Sequence, residues 1–164
     1  MKVSYITSKY NPEKYWRRRQ YIVSEGGVKL LKWIYLLYIR RCDAFNCASL
    51  GTHMNGGARF EEAPDLPHGL KGIVISHYAK FGKKVRIFQN VTIGNDERDI
   101  SNAPTIGDHV TIYPGAVIIG KIKVGNNTII GANAIVVEDI PDGSLVVGQK
   151  ARVIAGKYNN QEDC

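Results

Sequence analysis

The sequence predicts an all-β solenoid, a parallel β-helix with a short helical cap at its N-terminal end. Three observations carry that expectation. Ten aliphatic or aromatic residues recur every six positions in two runs: Ile75, Phe81, Ile87 and Ile93, then Ile106, Ile112, Ile118, Val124, Ile130 and Val136. Four places after most of them stands a small or β-branched residue: Ala79, Val85, Val91, Val110, Ala116, Ile122, Thr128, Ala134 and Ile140. Gly82, Gly94, Gly107, Gly125 and Gly131 directly follow members of the series. A period of six matches neither a helix nor the alternation of one long strand. It matches a coil in which each side is one short strand plus one turn, so three hexads close 18 residues and like positions stack inside. The glycines are expected to supply backbone freedom at the corners.

Taken in order, residues 1–45 read as a basic helical segment. Between Lys14 and Arg41 lie Arg17, Arg18, Arg19, Lys29, Lys32, Arg40 and Arg41, with only Glu25 against them. After the Gly26-Gly27 break, residues 28–41 read as a helix. Its uncharged run, Trp33 to Ile39, is too short to span a bilayer. The open first coil of a solenoid needs a cover, which makes a cap the favoured role. The alternative is peripheral contact with the inner face of an anionic membrane through residues 28–41. Residues 46–74, rich in Gly, His and Pro, predict an irregular first coil, and residues 75–141 predict regular β-helix. A closing strand completes a domain of residues 46–154, followed by a polar tail over residues 155–164. The six-residue phase slips once. Ile93 to Ile106 is two hexads plus one residue, and the polar stretch between them predicts a loop bulging from the coil.

Composition narrows the class. A chain of 164 residues makes one small domain, and a solenoid this short exposes flat sides that favour oligomerisation. Cys42, Cys47 and Cys164 are scattered and odd in number, which points to a reducing cytoplasm and to no metal site. Residues 1–11 show no signal-peptide pattern. Despite a net charge of +7, no nucleic-acid-binding module appears.

The segments Leu66-Pro-His-Gly-Leu-Lys-Gly-Ile-Val-Ile75, Ile87-Phe-Gln-Asn-Val-Thr-Ile-Gly94 and Ala103-Pro-Thr-Ile-Gly107 resemble those of the hexapeptide-repeat acyltransferases. The nearest members are serine acetyltransferase-like, including short ones from surface-polysaccharide gene clusters. Val147-Gly-Gln-Lys-Ala-Arg-Val-Ile154 resembles the family's closing strand, with Gln149-Lys150 in place of the usual Val-Pro. The resemblance covers roughly residues 48–154. It implies a left-handed β-helix, a homotrimer with active sites between subunits, and acetyl-CoA as cosubstrate.

The implied reaction moves acetyl from CoA to an alcohol, which requires a base and a cradle for pantetheine and phosphates. His68 stands where the family keeps its catalytic histidine, a side chain that ordinarily titrates near working pH. The family's orienting aspartate falls on His53, with Glu61, Glu62 or Asp65 as substitutes and a backbone carbonyl as a further option. For CoA the resemblance points to Gly94, Pro114, Gly115, Gly131 and Ala132 along a groove, with Lys150 and Arg152 meeting its phosphates. His77 and His109 fall at surface or interface phases and are not assigned to catalysis. The zinc-dependent use of this fold does not match the histidine spacing, so no metal is expected.

The acceptor is read from departures. Pro67 replaces an acidic residue suited to an ammonium group, and Asn102-Ala103 replace an Arg-His pair, the arginine suited to a carboxylate. Asp65, Asn95, Asp96 and Arg98 remain as hydrogen-bonding groups for a polyol. The first expectation is therefore O-acetylation of a saccharide, lipid-linked or nucleotide-linked, in surface-polysaccharide synthesis. L-Serine is the alternative acceptor, an amino-sugar nitrogen is third, and a non-catalytic trimeric scaffold is the reading from outside enzymology.

Overall fold

The structure, a computed structural model, describes residues 10–150. Strands of two or three residues wind into a three-sided parallel solenoid of about four turns. The first side holds Ser49–Leu50, Val74–Ile75, Thr92–Gly94, Val117–Ile119 and Ile135–Val136. The second holds Arg59–Phe60, Lys80–Phe81, Thr105–Ile106 and Lys123–Val124. The third holds Arg86–Ile87, Thr111–Ile112, Ile129–Ile130 and Leu145–Val146. Strand register explains the sequence period. Ile75, Ile93, Ile118 and Val136 stack in one interior column, and Ile87, Ile112 and Ile130 in another, all buried. Each hexad is one side of the coil.

The corners correct one expectation. Gly82, Gly107 and Gly125 do not adopt left-handed backbone. Their lack of a side chain makes room for a polar ladder on the second corner, between the second and third sides. There Lys83 N donates to Asp108 Oδ1 (2.7 Å), Asp108 N to Asn126 Oδ1 (2.7 Å) and Asn126 N to Asp142 Oδ1 (2.8 Å). A Cβ on Gly107 would stand 2.6 Å from Asn126 Oδ1. The left-handed turns come two residues later, at Lys84, His109 and Asn127.

Two helices cover the first coil. Helix α1 (Pro12–Val23) starts where the Asn11 side chain accepts from Lys14 N at 3.0 Å, with Pro12 in the first turn. Helix α2 (Lys29–Phe45) runs four residues past the expected end at Arg41. Gly26 and Gly27, both left-handed, make the bend between them. Tyr15, Trp16, Ile22, Ile39 and Cys42 join one core with Leu50 and Ala58. Trp16 meets Phe60 edge-on, and Phe60 stacks on Phe81 at 4.4 Å, so the aromatic contacts continue from cap into coil.

The seam also buries charge. Arg19 Nη2 donates to Leu50 O (3.2 Å) and Ala58 O (2.6 Å), and Tyr15 OH donates to Asp43 Oδ1 (2.7 Å). Lys32 Nζ donates to Asn55 Oδ1 at 2.7 Å. Desolvation pushes the Asp43 carboxyl up to about 6, the Tyr15 hydrogen bond opposing it, and pushes the Arg19 guanidinium down to about 10. No helix among the described residues is long and apolar enough to cross a membrane.

Candidate active site

His68 lies on the third corner, where the chain turns from the third side to the first. Asp65 bridges to Arg86 on the third side, Asn90 N donates to Lys71 O (2.9 Å), and Val74 pairs with Thr92 on the first. Residues 66–73 therefore run beside the turn Phe88-Gln89-Asn90 of the next coil. That neighbour supplies the partner of His68. Its Nδ1 lies 2.5 Å from Gln89 Oε1. An amide oxygen only accepts, so Nδ1 donates here, and in the neutral ring the lone pair is on Nε2. The imidazole also meets Phe88 edge-on at 5.6 Å, and Phe88 stacks on Tyr113 of the following coil at 5.1 Å. One hydrogen bond and one ring contact thus fix the imidazole, while His68 remains exposed.

The same corner repeats upward as Tyr113-Pro114-Gly115 and then Gly131-Ala132-Asn133, between strands of the third and first sides. Pro114, Gly115, Gly131 and Ala132 therefore stand in line above His68. Gly115 is left-handed, and the Asn133 side chain occupies the space a Cβ would need. Gly148 packs against Ala132 O, which brings the exposed Lys150 toward the upper end of this line. Arg152 lies outside the described residues, as do residues 155–164. Gly94 is apart from the group. It ends a first-side strand opposite Ile119, next to the first corner.

That first corner, between the first and second sides, holds the other candidates. The loop over residues 95–104 leaves the coil there, where the phase slip places it. Asp96 Oδ1 accepts from Arg98 N (3.2 Å) and Asn102 Nδ2 (3.3 Å), bracing the loop. Hydrogen bonds from the Ser101 backbone and hydroxyl hold the Asp99 carboxyl below its usual range. Asn95, Asp96 and Arg98 accordingly gather at the first corner. His53 is there too, in a hairpin of Thr52–His53 with Gly56–Gly57. Its Nδ1 is 3.2 Å from Met54 O and its ring centre 5.8 Å from that of His77. Both histidines line a cavity of about 490 Å³ with Tyr78 and Lys80. Burial, then the neighbouring His53, lowers the His77 pKa.

Within the chain His53 and His68 occupy different corners. Asp65 pairs with Arg86 Nε at 2.7 Å on the third side. The Nδ1 position is taken by Gln89, a residue that sequence reading passed over. The 18-residue period does not point to it, since Gln89 lies 21 residues on from His68 at the same corner. Among the described residues, no cluster of His, Cys, Asp or Glu is placed to hold a metal.

Comparison with known proteins agrees with the fold. Residues 103–137 match the family model described as bacterial transferase hexapeptide, six repeats. The fold is the left-handed parallel β-helix of hexapeptide-repeat proteins. Over 105 residues, 63% of its length, the chain is 37% identical to a serine acetyltransferase of Helicobacter pylori, covering 61% of that protein. It is 35% identical over the same length to a serine acetyltransferase of Staphylococcus aureus, covering 49% of it. Among solved structures, Neisseria gonorrhoeae serine acetyltransferase in complex with serine superposes with a TM-score of 0.66 at 27% identity, over 86% of this chain and 54% of that one. Isoform 3 from Entamoeba histolytica, in complex with cysteine, gives 0.64 at 26% identity, over 77% and 44%. The chain thus spans less than two thirds of each relative. It is similar to serine acetyltransferases and carries a hexapeptide-repeat match over residues 103–137.

This corrects the expected acceptor. A saccharide was inferred from missing charged residues at Pro67, Asn102 and Ala103, yet the relatives are serine acetyltransferases. Reading those positions one at a time assumed that charge must come from the same places in the chain.

Proposed function

We propose that this protein is an acetyl-CoA-dependent O-acetyltransferase acting on L-serine, with His68 as the base. The observation that carries the reading is the His68–Gln89 hydrogen bond at the foot of a line of small residues on the third corner. His68 Nε2 accepts the proton of the serine hydroxyl as its oxygen attacks the acetyl carbonyl, then returns that proton to the departing thiolate. Acetyl-CoA supplies the thioester. Small groups at Pro114-Gly115 and Gly131-Ala132 let pantetheine approach the main chain, Gly94 borders the groove, and Lys150 with Arg152 meets the phosphates.

One chain offers an incomplete site, because the loop and His53 lie across the first side from His68. A homotrimer answers this if the first corner of one copy faces the third corner of the next. Asp96 and Arg98 of one copy then supply charges for the ammonium and carboxylate of serine at His68 of another, with Asn95 beside them. Asp65, held by Arg86, borders the same groove. His53 closes the site from the neighbouring corner. Three scattered cysteines, odd in number, suit a reducing cytoplasm.

The test is release of free CoA from acetyl-CoA on addition of L-serine, read with a thiol reagent against a blank for the protein's own cysteines. Turnover that falls by about 10²–10⁴ in His68→Ala is the expected result. No serine-dependent release from the wild type overturns the acceptor, and full activity in His68→Ala overturns the base.

A further inference from the structure

The outward face of α2 has no part in the proposed chemistry. Leu30, Trp33, Ile34 and Leu37 are 70%, 56%, 53% and 67% exposed, and their spacing aligns them in one stripe. The opposite face of the helix, through Lys32, Ile39, Cys42 and Asp43, is buried. The helix is therefore apolar toward solvent at the positions where a cap ought to be polar. Lys29, Arg40 and Arg41 are exposed around the stripe. The sole acidic residue of α2, Asp43, is buried and bonded to Tyr15. Charge is segregated along the chain in the same sense. Residues 1–45 contain ten Lys and Arg against three Asp and Glu, while the remainder has twelve of each, so the whole excess of +7 belongs to the N-terminal part.

We propose that this face of α2 docks the protein on an anionic lipid surface. Two features must be satisfied together, an apolar stripe and an unopposed set of cations. A second copy placing the same face against this one would bury the stripe but bring the two cation sets together with no acid between them. A polynucleotide would meet the cations and leave the stripe in water. An anionic bilayer meets both: Leu30, Ile34 and Leu37 enter the headgroup–acyl boundary, Trp33 sits at the interface, and Lys29, Arg40 and Arg41 meet the phosphates. Contact is peripheral, since no described helix can span.

The experiment uses the full chain and sedimenting vesicles of phosphatidylcholine, alone or mixed with phosphatidylglycerol. Binding is expected only to the mixed vesicles, with weakening at high salt. Arg40→Gln and Arg41→Gln should each weaken it about fivefold, the equivalent of about 1 kcal/mol per basic group near an anionic surface. Leu30→Asn/Ile34→Asn/Leu37→Asn alters only exposed positions and should abolish binding. Trp33 emission should shift blue on binding and be quenched by brominated lipid, and Trp33→Phe should remove the response because Trp16 is buried. Three results overturn the proposal: no preference for anionic vesicles, a change of oligomeric state in the triple variant by analytical ultracentrifugation, or competition by a single-stranded oligonucleotide that persists when the stripe is removed. None of these readouts depends on serine turnover.

Discussion

Replacing Gln89 by leucine keeps its approximate size and deletes the oxygen that anchors His68 Nδ1 at 2.5 Å. The imidazole would keep its edge-on contact with Phe88 and lose its only hydrogen bond among the described residues. A neutral hydrogen bond is worth about 1 kcal/mol net. Freeing the ring to rotate, and to place its proton on either nitrogen, costs about a further 0.5–1 kcal/mol of orientation. Together these amount to about 1.5–2 kcal/mol, or roughly a 10–30-fold fall in kcat. KM for serine and for acetyl-CoA should stay within about twofold, because Gln89 is argued to act through His68 and not on either substrate. Gln89→Glu keeps an acceptor at the same reach and should retain most of the lost rate. The assay is steady-state CoA release, paired with nitrogen-15 NMR of His68, which reads the tautomer without turnover. Wild-type protein should show the Nδ1–H form and Gln89→Leu a mixture. A kcat in Gln89→Leu within twofold of wild type, or an unchanged tautomer, would refute the assignment of Gln89 as the positioning residue.

Other consequences concern the fold that holds the site. Arg19→Met keeps the aliphatic bulk between Trp16 and Phe60 but leaves Leu50 O and Ala58 O without this donor; about 3 kcal/mol of stability should be lost in urea titration, and a loss under 1 kcal/mol would sink the account. Burial pushes the Asp43 carboxyl up to about 6, above the ordinary 3.8, so the folded state holds the proton more tightly. Its contribution is therefore fully present below about pH 4 and is lost as pH rises through 6, about 3 kcal/mol in all. Asp43→Asn should flatten that limb of the stability–pH curve, and an unchanged slope between pH 4 and 6 counts against the burial argument. Gly107→Ala sets a methyl against the Asp108–Asn126 ladder and should cost about 1–3 kcal/mol, seen as a lower thermal midpoint; an unchanged midpoint would mean the corner has slack.

The hexad from Ile75 to Val136 specified the solenoid because its repeat is local: two residues of each six are buried, and the next coil lays the same positions over them. The loop after Ile93 was legible for the same reason, as a break in phase. The cap was legible only as basic, helical sequence. Its anchoring through Arg19, Asp43 and Lys32 was not, since those residues read as surface charge until the coil takes them out of water. The corner glycines were found for a partly mistaken reason. Their need is space for Asp108, Asn126 and Asp142, side chains 17 to 26 residues away from the glycines they pass.

Sequence alone singled out His68, but not what holds it. His68 and Gln89 are 21 residues apart, and no local pattern says that one coil brings them within hydrogen-bonding reach. The acceptor was inferred from missing charges at Pro67, Asn102 and Ala103, and the similarity to serine acetyltransferases speaks against that inference. What the sequence determined by itself was the period, and with it the coil, its core columns and the break at residues 95–104. Only the tertiary structure decided which residues share a corner, placing Gln89 with His68 and His53 with His77, because corner neighbours are set by one full winding of the chain and not by adjacency along it.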